Sequence, residues 1–267
     1  MKQLQSRALV VALLGIGVIA TLAVGLPQST AEVVRYGDLR ASFEAELDPR
    51  VRPRHREVPV RFGLSGWVDS ASGNALPQLD RLEISVHPRG RITPRGLAPC
   101  KVRQVSSTTS LHALRACRRS LVGQGSFTAV MALPDQEPIS SQGRLLAFHA
   151  EDRKGRSQIL AHIHATEPVS VSYLIPLTII RQGKGATLIR SPRLPQLLGE
   201  QVFALRFSFT LGKRYRYRGR PQSYLSAACP APPGTPGAFF NLASATYSFT
   251  QGGSVRQTLT RSCRVRR

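Results

Sequence analysis

Alternation of apolar and polar side chains constrains this chain more than any other feature. Phe203, Leu205, Phe207, Phe209 and Leu211 form one stripe of a period-two pattern, against Arg206, Ser208 and Thr210. Leu39, Ala41, Phe43, Ala45 and Leu47 alternate in the same way with Arg40, Ser42, Glu44 and Glu46. Leu82, Ile84 and Val86 oppose Arg81, Glu83, Ser85 and His87, while Val58, Val60, Phe62, Leu64 and Val68 line one side of a further run. A helix repeats every 3.6 residues and scatters such sets around its axis; a pleated strand keeps each set on one face. Turn-rich stretches separate the runs: "EDRKGRS" (151–157), "RQGKGA" (181–186) and "QGGS" (251–254), the last with a Gly-Gly pair suited to a tight hairpin. Pro176, inside "YLIPLTI", has no N–H to give to a ladder and predicts an edge or a bulge. Only "STTSLHALRAC" reads as helix, with Leu111, Leu114 and Cys117 three apart behind N-capping hydroxyls. The expected fold is all-β, an antiparallel sandwich or barrel-like sheet, with one short helix near 108–117.

The ends of the chain locate it. Lys2 and Arg7 precede an apolar run from Ala8 to Leu26, and small residues lead up to Ala31. This order reads as an export signal over residues 1–31, with an uncleaved membrane anchor as the alternative. Residues 32–267 then form a single exported domain. The four cysteines, Cys100, Cys117, Cys229 and Cys263, lack the paired C-x-x-C spacing of zinc sites and predict two disulfides. The favoured pairing joins sequence neighbours, Cys100 to Cys117 and Cys229 to Cys263.

The formal net charge is +22, and no acid follows Glu200. A field of this size concentrates anions. In "GKRYRYRGR", read as one strand, Arg214, Arg216 and Arg218 share a face, Tyr215 and Tyr217 share the other, and Arg220 continues the basic run. Arg50, Arg52, Arg54 and Arg56 alternate likewise in "DPRVRPRHRE", an expected connector or irregular edge. These eight arginines are the expected anion-binding residues. Outside the cell their partner is an anionic envelope polymer or a membrane surface, not intracellular nucleic acid. The plainer reading is that such rows keep an edge strand from pairing.

Catalytic patterns are weak. "GLSGW" (63–67) misplaces the second glycine of a nucleophile elbow. The acids fall on solvated faces, where Glu83 expects an ion pair with Arg81 or Arg89. The sharpest small motif is "HIH": His162 and His164 share a strand face, His149 lies on the partner strand, and Glu167 is close. Such a set is chemically reasonable for zinc and for a metal-dependent hydrolase. Against this, the neighbouring residues are apolar, as they would be if the histidines pack within the sheet. No motif calls for a cofactor. The leading expectation is a non-catalytic envelope protein, and the alternative is a carrier holding a lipid or small apolar ligand inside its sheet.

"LPQL" occurs at 76–79 and again at 194–197, each time ahead of a strand, a basic Gly turn and a cysteine. Two related halves, about 57–150 and 158–267, would explain the echo. The stretch "YLSAACPAPPGTPGAFFNLASATYSFTQGG…TLTRSCRV", with "ALRACRRSLVGQGSF" upstream, resembles a family of exported, β-rich bacterial proteins of actinobacterial type with no assigned activity. The resemblance implies export and supports the cysteine pairing; it assigns no site residue.

Overall fold

A computed structural model describes residues 32–106, 108–131, 137–167, 170–194 and 202–266. The expected signal at 1–31 lies outside these residues. The strands are β1 (Glu32–Tyr36), β2 (Leu39–Asp48), β3 (Val51–Arg52), β4 (Val58–Pro59), β5 (Arg61–Ser70), β6 (Leu79–Val86), β7 (Gly90–Ile92), β8 (Leu121–Met131), β9 (Ile139–Glu151), β10 (Ser157–Ala165), β11 (Val171–Arg181), β12 (Thr187–Arg190), β13 (Val202–Leu211), β14 (Arg214–Tyr217), β15 (Arg220–Ser223), β16 (Leu225–Ala227), β17 (Gly237–Phe249) and β18 (Ser254–Val265). Helices α1 (Val102–Val105) and α2 (Ser110–Cys117) lie between β7 and β8. Thr109 caps α2 by accepting from the backbone N–H of His112.

Thirteen strands form one curled sheet in the order β1-β2-β5-β13-β8-β9-β10-β11-β12-β6-β17-β18-β3. Every pairing is antiparallel except β18 with β3. The curl brings the two sides of the sheet back into contact. Phe43 of β2 stacks on Tyr247 of β17 at 5.8 Å, and Tyr36 of β1 stacks on Phe249 at 6.0 Å. The Arg261 guanidinium of β18 donates to the carbonyl of Ala45 in β2. The all-β expectation holds, and of the two architectures named the barrel-like one is found. Pro176 pairs with Leu160 on one side only, because the β11–β12 ladder starts at Thr178. On its other side Pro176 has no ladder partner, the edge-like position where a residue without an N–H is tolerated.

The order of pairings repeats along the sheet. β13 lies between β5 and β8, and β6 lies between β12 and β17. Hairpin β8–β9 follows β7 in the chain as hairpin β17–β18 follows β16, and β7 and β16 pair with each other. Each half of the chain thus inserts one strand among the strands of the other.

The apolar stripes point inward. Phe43, Leu47, Val122, Ile159, Ile189 and Leu259 belong to one large buried cluster. A second cluster lies on the outer face of β9 and β10, where Leu146, Phe148 and Leu160 pack under Val105 and Ala113 of the two helices. Strands β9 and β10 are therefore covered on both faces, which explains their near-continuous apolar sequence. The Cys100–Cys117 disulfide closes over this second cluster, and Cys229–Cys263 joins the chain after β16 to β18.

Register places the irregular segments together. Asp48 pairs with Arg61, Phe62 with Leu211, Leu211 with Gly123, Glu151 with Ser157, and Val86 with Thr187. One end of the sheet therefore carries β3, β4, β7, both helices, β14, β15 and β16. There β4, β16 and β7 form a small separate sheet.

Candidate functional site

Inside the curled sheet is a cavity of about 350 Å³. Its wall is built from the inward stripes: Phe62 and Leu64 of β5, Ile84 and Val86 of β6, Phe207 and Phe209 of β13 all line it. The small sheet closes one side with Ile92, Leu225 and Ala227. Tyr247 and Gln257 are among the few polar residues of a mostly apolar wall, and burial pushes the Tyr247 phenol up to about 12. Arg89, an exposed residue, is among those that line the cavity. His87, which also lines it, lies edge-on to Phe240 at 5.2 Å. Burial, and then the charge of Arg89, lower the His87 pKa.

The expected metal set does not converge. His149 pairs with Ile159 in the β9–β10 ladder and faces the interior, whereas His162 pairs with Leu146 on the opposite face. Paired residues in a ladder share a face, and odd and even positions do not. Among the described residues no group of three His, Cys, Asp or Glu side chains is placed to hold a metal. The outer two histidines have another use. His162 Nε2 is 2.9 Å from the Thr108 carbonyl, which also accepts from Ser172 Oγ at 2.7 Å. His164 Nδ1 lies 2.9 Å from the same Ser172 Oγ. Together they fasten the segment before α2 to strands β10 and β11. The expectation that these side chains pack within the sheet describes them better than metal ligation does.

The eight expected anion-binding arginines separate into different environments. "GKRYRYRGR" is a hairpin, not a single strand. Arg218 (φ 50°) and Gly219 (φ 74°) form its two-residue turn, with Tyr217 paired to Arg220. Both turn residues take left-handed φ, the geometry whose twist suits adjoining strands. Arg220 therefore shares the tyrosine face, Arg218 lies in the turn, and only Arg214 and Arg216 form the expected row. The tyrosines pack as expected: Tyr215 Oη donates to the Arg95 carbonyl at 2.7 Å, and the Tyr217 ring lies against Gly96. Arg218 sits over the Tyr217 ring at 5.4 Å. In the other row, Arg50 pairs with Glu46 at 3.3 Å, Arg54 donates to the Thr235 carbonyl, and Arg56 is exposed. Arg52 is fully buried, which removes it from the surface. Glu83 pairs with Arg190 at 2.6 Å rather than with Arg81 or Arg89.

Charge is nevertheless concentrated. Segments 48–61, 86–121, 151–157, 211–237 and 263–266 all lie at the end that carries the small sheet and helices. Together they hold twenty-three of the Lys and Arg residues against four acids, Asp48, Glu57, Glu151 and Asp152. Val102 and Leu111 of the helices are exposed at this same end. The sequence revealed the charge but not its polarisation, because the basic segments are far apart in the chain and only the ladder register gathers them.

Comparison with family models, curated proteins and solved structures found no match. Among the described residues no helix is long and apolar enough to cross a membrane. The two disulfides fit an oxidising compartment.

Proposed function

We propose that this protein is an exported, non-catalytic carrier that holds an apolar ligand inside its curled sheet. Its basic end docks on an anionic membrane surface. The internal cavity carries the reading. Its volume falls in the range of about 300–1,000 Å³ typical of ligand sites, and its wall is apolar with a few polar groups, as such sites require. Ligand entry beside Arg89, an exposed lining residue within the basic end, would put docking and ligand exchange on one side of the molecule. Exposed Val102 and Leu111 among Lys101, Arg103 and Arg115 give that end apolar side chains as well as charge, a combination that favours a bilayer over a wholly polar polymer.

The reading is tested by organic extraction of the purified protein and mass spectrometry of the extract. A stoichiometric amphiphile or hydrocarbon is expected. Ala245→Phe, which fills the cavity from β17, should abolish copurification while leaving the circular dichroism spectrum unchanged. An extract without apolar ligand, combined with no uptake of a fluorescent fatty probe by the delipidated protein, would overturn it.

A further inference from the structure

The outer face of the sheet carries a second candidate site. Strands β2, β5, β13 and β8 lie side by side, and the rungs of their ladders run across all four. In one rung Ser42, Trp67, Arg206 and Thr128 are neighbours; in the next same-facing rung Glu44, Ser65, Ser208 and Ser126 are. Phe43 and Phe207, which fall between them, line the internal cavity, so alternation sends both rungs to the outside. All eight residues line an open basin of about 530 Å³.

Trp67 is the single tryptophan of the chain. It is half-buried, yet its indole makes no ring contact or hydrogen bond among the described residues. Arg206 and Glu44 are exposed, and neither has a side-chain partner among the described residues. The rung beyond Trp67 differs: there Arg40 and Asp69 satisfy each other at 2.8 Å. The other five members, four serines and Thr128, are short and carry hydroxyls, each able to donate one hydrogen bond and accept two. The indole is therefore the one large apolar group on this side of the two rungs.

That composition selects among partners. The core of a protein interface gathers several apolar side chains, and here there is one. A polyanion calls for unopposed cations, and here Glu44 stands against Arg206. A pyranose ring has a flat face of C–H groups edged by hydroxyls. It stacks on a single aromatic ring and takes donors and acceptors around that ring. From this arrangement we infer that the outer face of β2, β5, β13 and β8 binds a neutral polysaccharide chain. Trp67 lies under a sugar ring, and Arg206, Glu44 and the serines bond its hydroxyls. The site is distinct from the cavity and does not depend on the carrier reading.

Because Trp67 is alone, intrinsic fluorescence reports on this site directly. The purified full chain is titrated with cellohexaose, chitohexaose and xylohexaose, and binding is confirmed by calorimetry. At least one chain should give a saturable change in Trp67 emission. The affinity should persist at about 500 mM salt, where attraction between charges is screened. Trp67→Ala should weaken calorimetric binding about tenfold or more. Ser208→Gln, at an exposed position, puts a longer side chain into the basin and should weaken binding with an unchanged circular dichroism spectrum. Binding of none of the three chains would overturn the inference. So would binding that vanishes at high salt, or an affinity undiminished in W67A or S208Q. The wild-type titration and S208Q keep the test intact if W67A folds poorly.

Discussion

His149 shows how one residue can be legible in kind and illegible in role. Its sequence position, on the strand next to "HIH", invites a shared site; the register turns it inward, toward Tyr224 at 6.3 Å between ring centroids. Burial is the leading cause that lowers the pKa of both His149 and His162. The sign of the consequence follows. Each histidine stays neutral in the folded protein at a pH where the unfolded chain, near the ordinary value of about 6.5, takes up a proton. The stability they support is complete above that pH and is lost as pH falls through about 6.5 toward the folded values. Chemical denaturation at pH 7.5 and 5.5 should show a lower midpoint at the acid pH. His149→Phe removes one of the titrating groups and a buried Nδ1 that has no partner among the described residues, so the drop should shrink. An unchanged drop would show that His149 does not couple to stability. Arg52 carries a related lesson. Alternation grouped it with Arg50, Arg54 and Arg56 on the surface of a connector or irregular edge; it is buried in β3 instead, and which side of that strand is covered depends on how it meets β18, which is tertiary information.

At the scale of elements, the sequence served best where a local rule acts alone. The stripes of β2, β5, β6 and β13, the N-capped helix α2, and the glycine turn at Gly252 and Gly253 follow from side-chain period and backbone chirality. The two disulfides also lie where adjacency in the chain placed them. The hairpin β14–β15 was illegible for a specific reason. Charge alternation from Arg214 to Arg220 is uninterrupted in sequence, and it hid an Arg-Gly dipeptide that supplies the turn. Gly219 adopts a φ of 74° that a β-branched residue resists. Gly219→Val should therefore destabilise the hairpin by about 1–2 kcal/mol. The effect would be read as faster tryptic cleavage after Arg216 or Arg218, with the global denaturation midpoint nearly unchanged. Unaltered cleavage would mean that the docking of Tyr215 and Tyr217, rather than the turn, holds the hairpin. The internal cavity was beyond sequence reading altogether. The same stripes would serve a filled core, and only the curvature of the sheet decides how far apart its inner faces stand.

For the whole molecule, the decisive property is that the basic segments gather at one end, where exposed Arg89 also contributes to the cavity lining. The expectation of two one-sided arginine rows was too local; the field comes from many loops brought together by register. Such a field acts over about 8–10 Å at physiological ionic strength, so it orients the protein toward an anionic surface before contact. Each Lys or Arg near an anionic bilayer contributes about 1 kcal/mol, and sharing the field among many cations makes any single loss smaller. Replacing Arg214, Arg216 and Arg218 together by Gln should thus weaken cosedimentation with vesicles rich in phosphatidylglycerol by about tenfold or more at 50 mM salt. Raising salt to 500 mM should remove most wild-type binding, and neutral phosphatidylcholine vesicles should bind little at either salt. Val102→Ser combined with Leu111→Ser tests the apolar part of the contact. A bilayer partner predicts that this pair weakens vesicle binding at constant charge, while a purely electrostatic polymer partner predicts no change. If the triple variant binds anionic vesicles as well as the wild type does, the basic end is not the docking surface. The polarity would then serve only to keep copies of the protein apart.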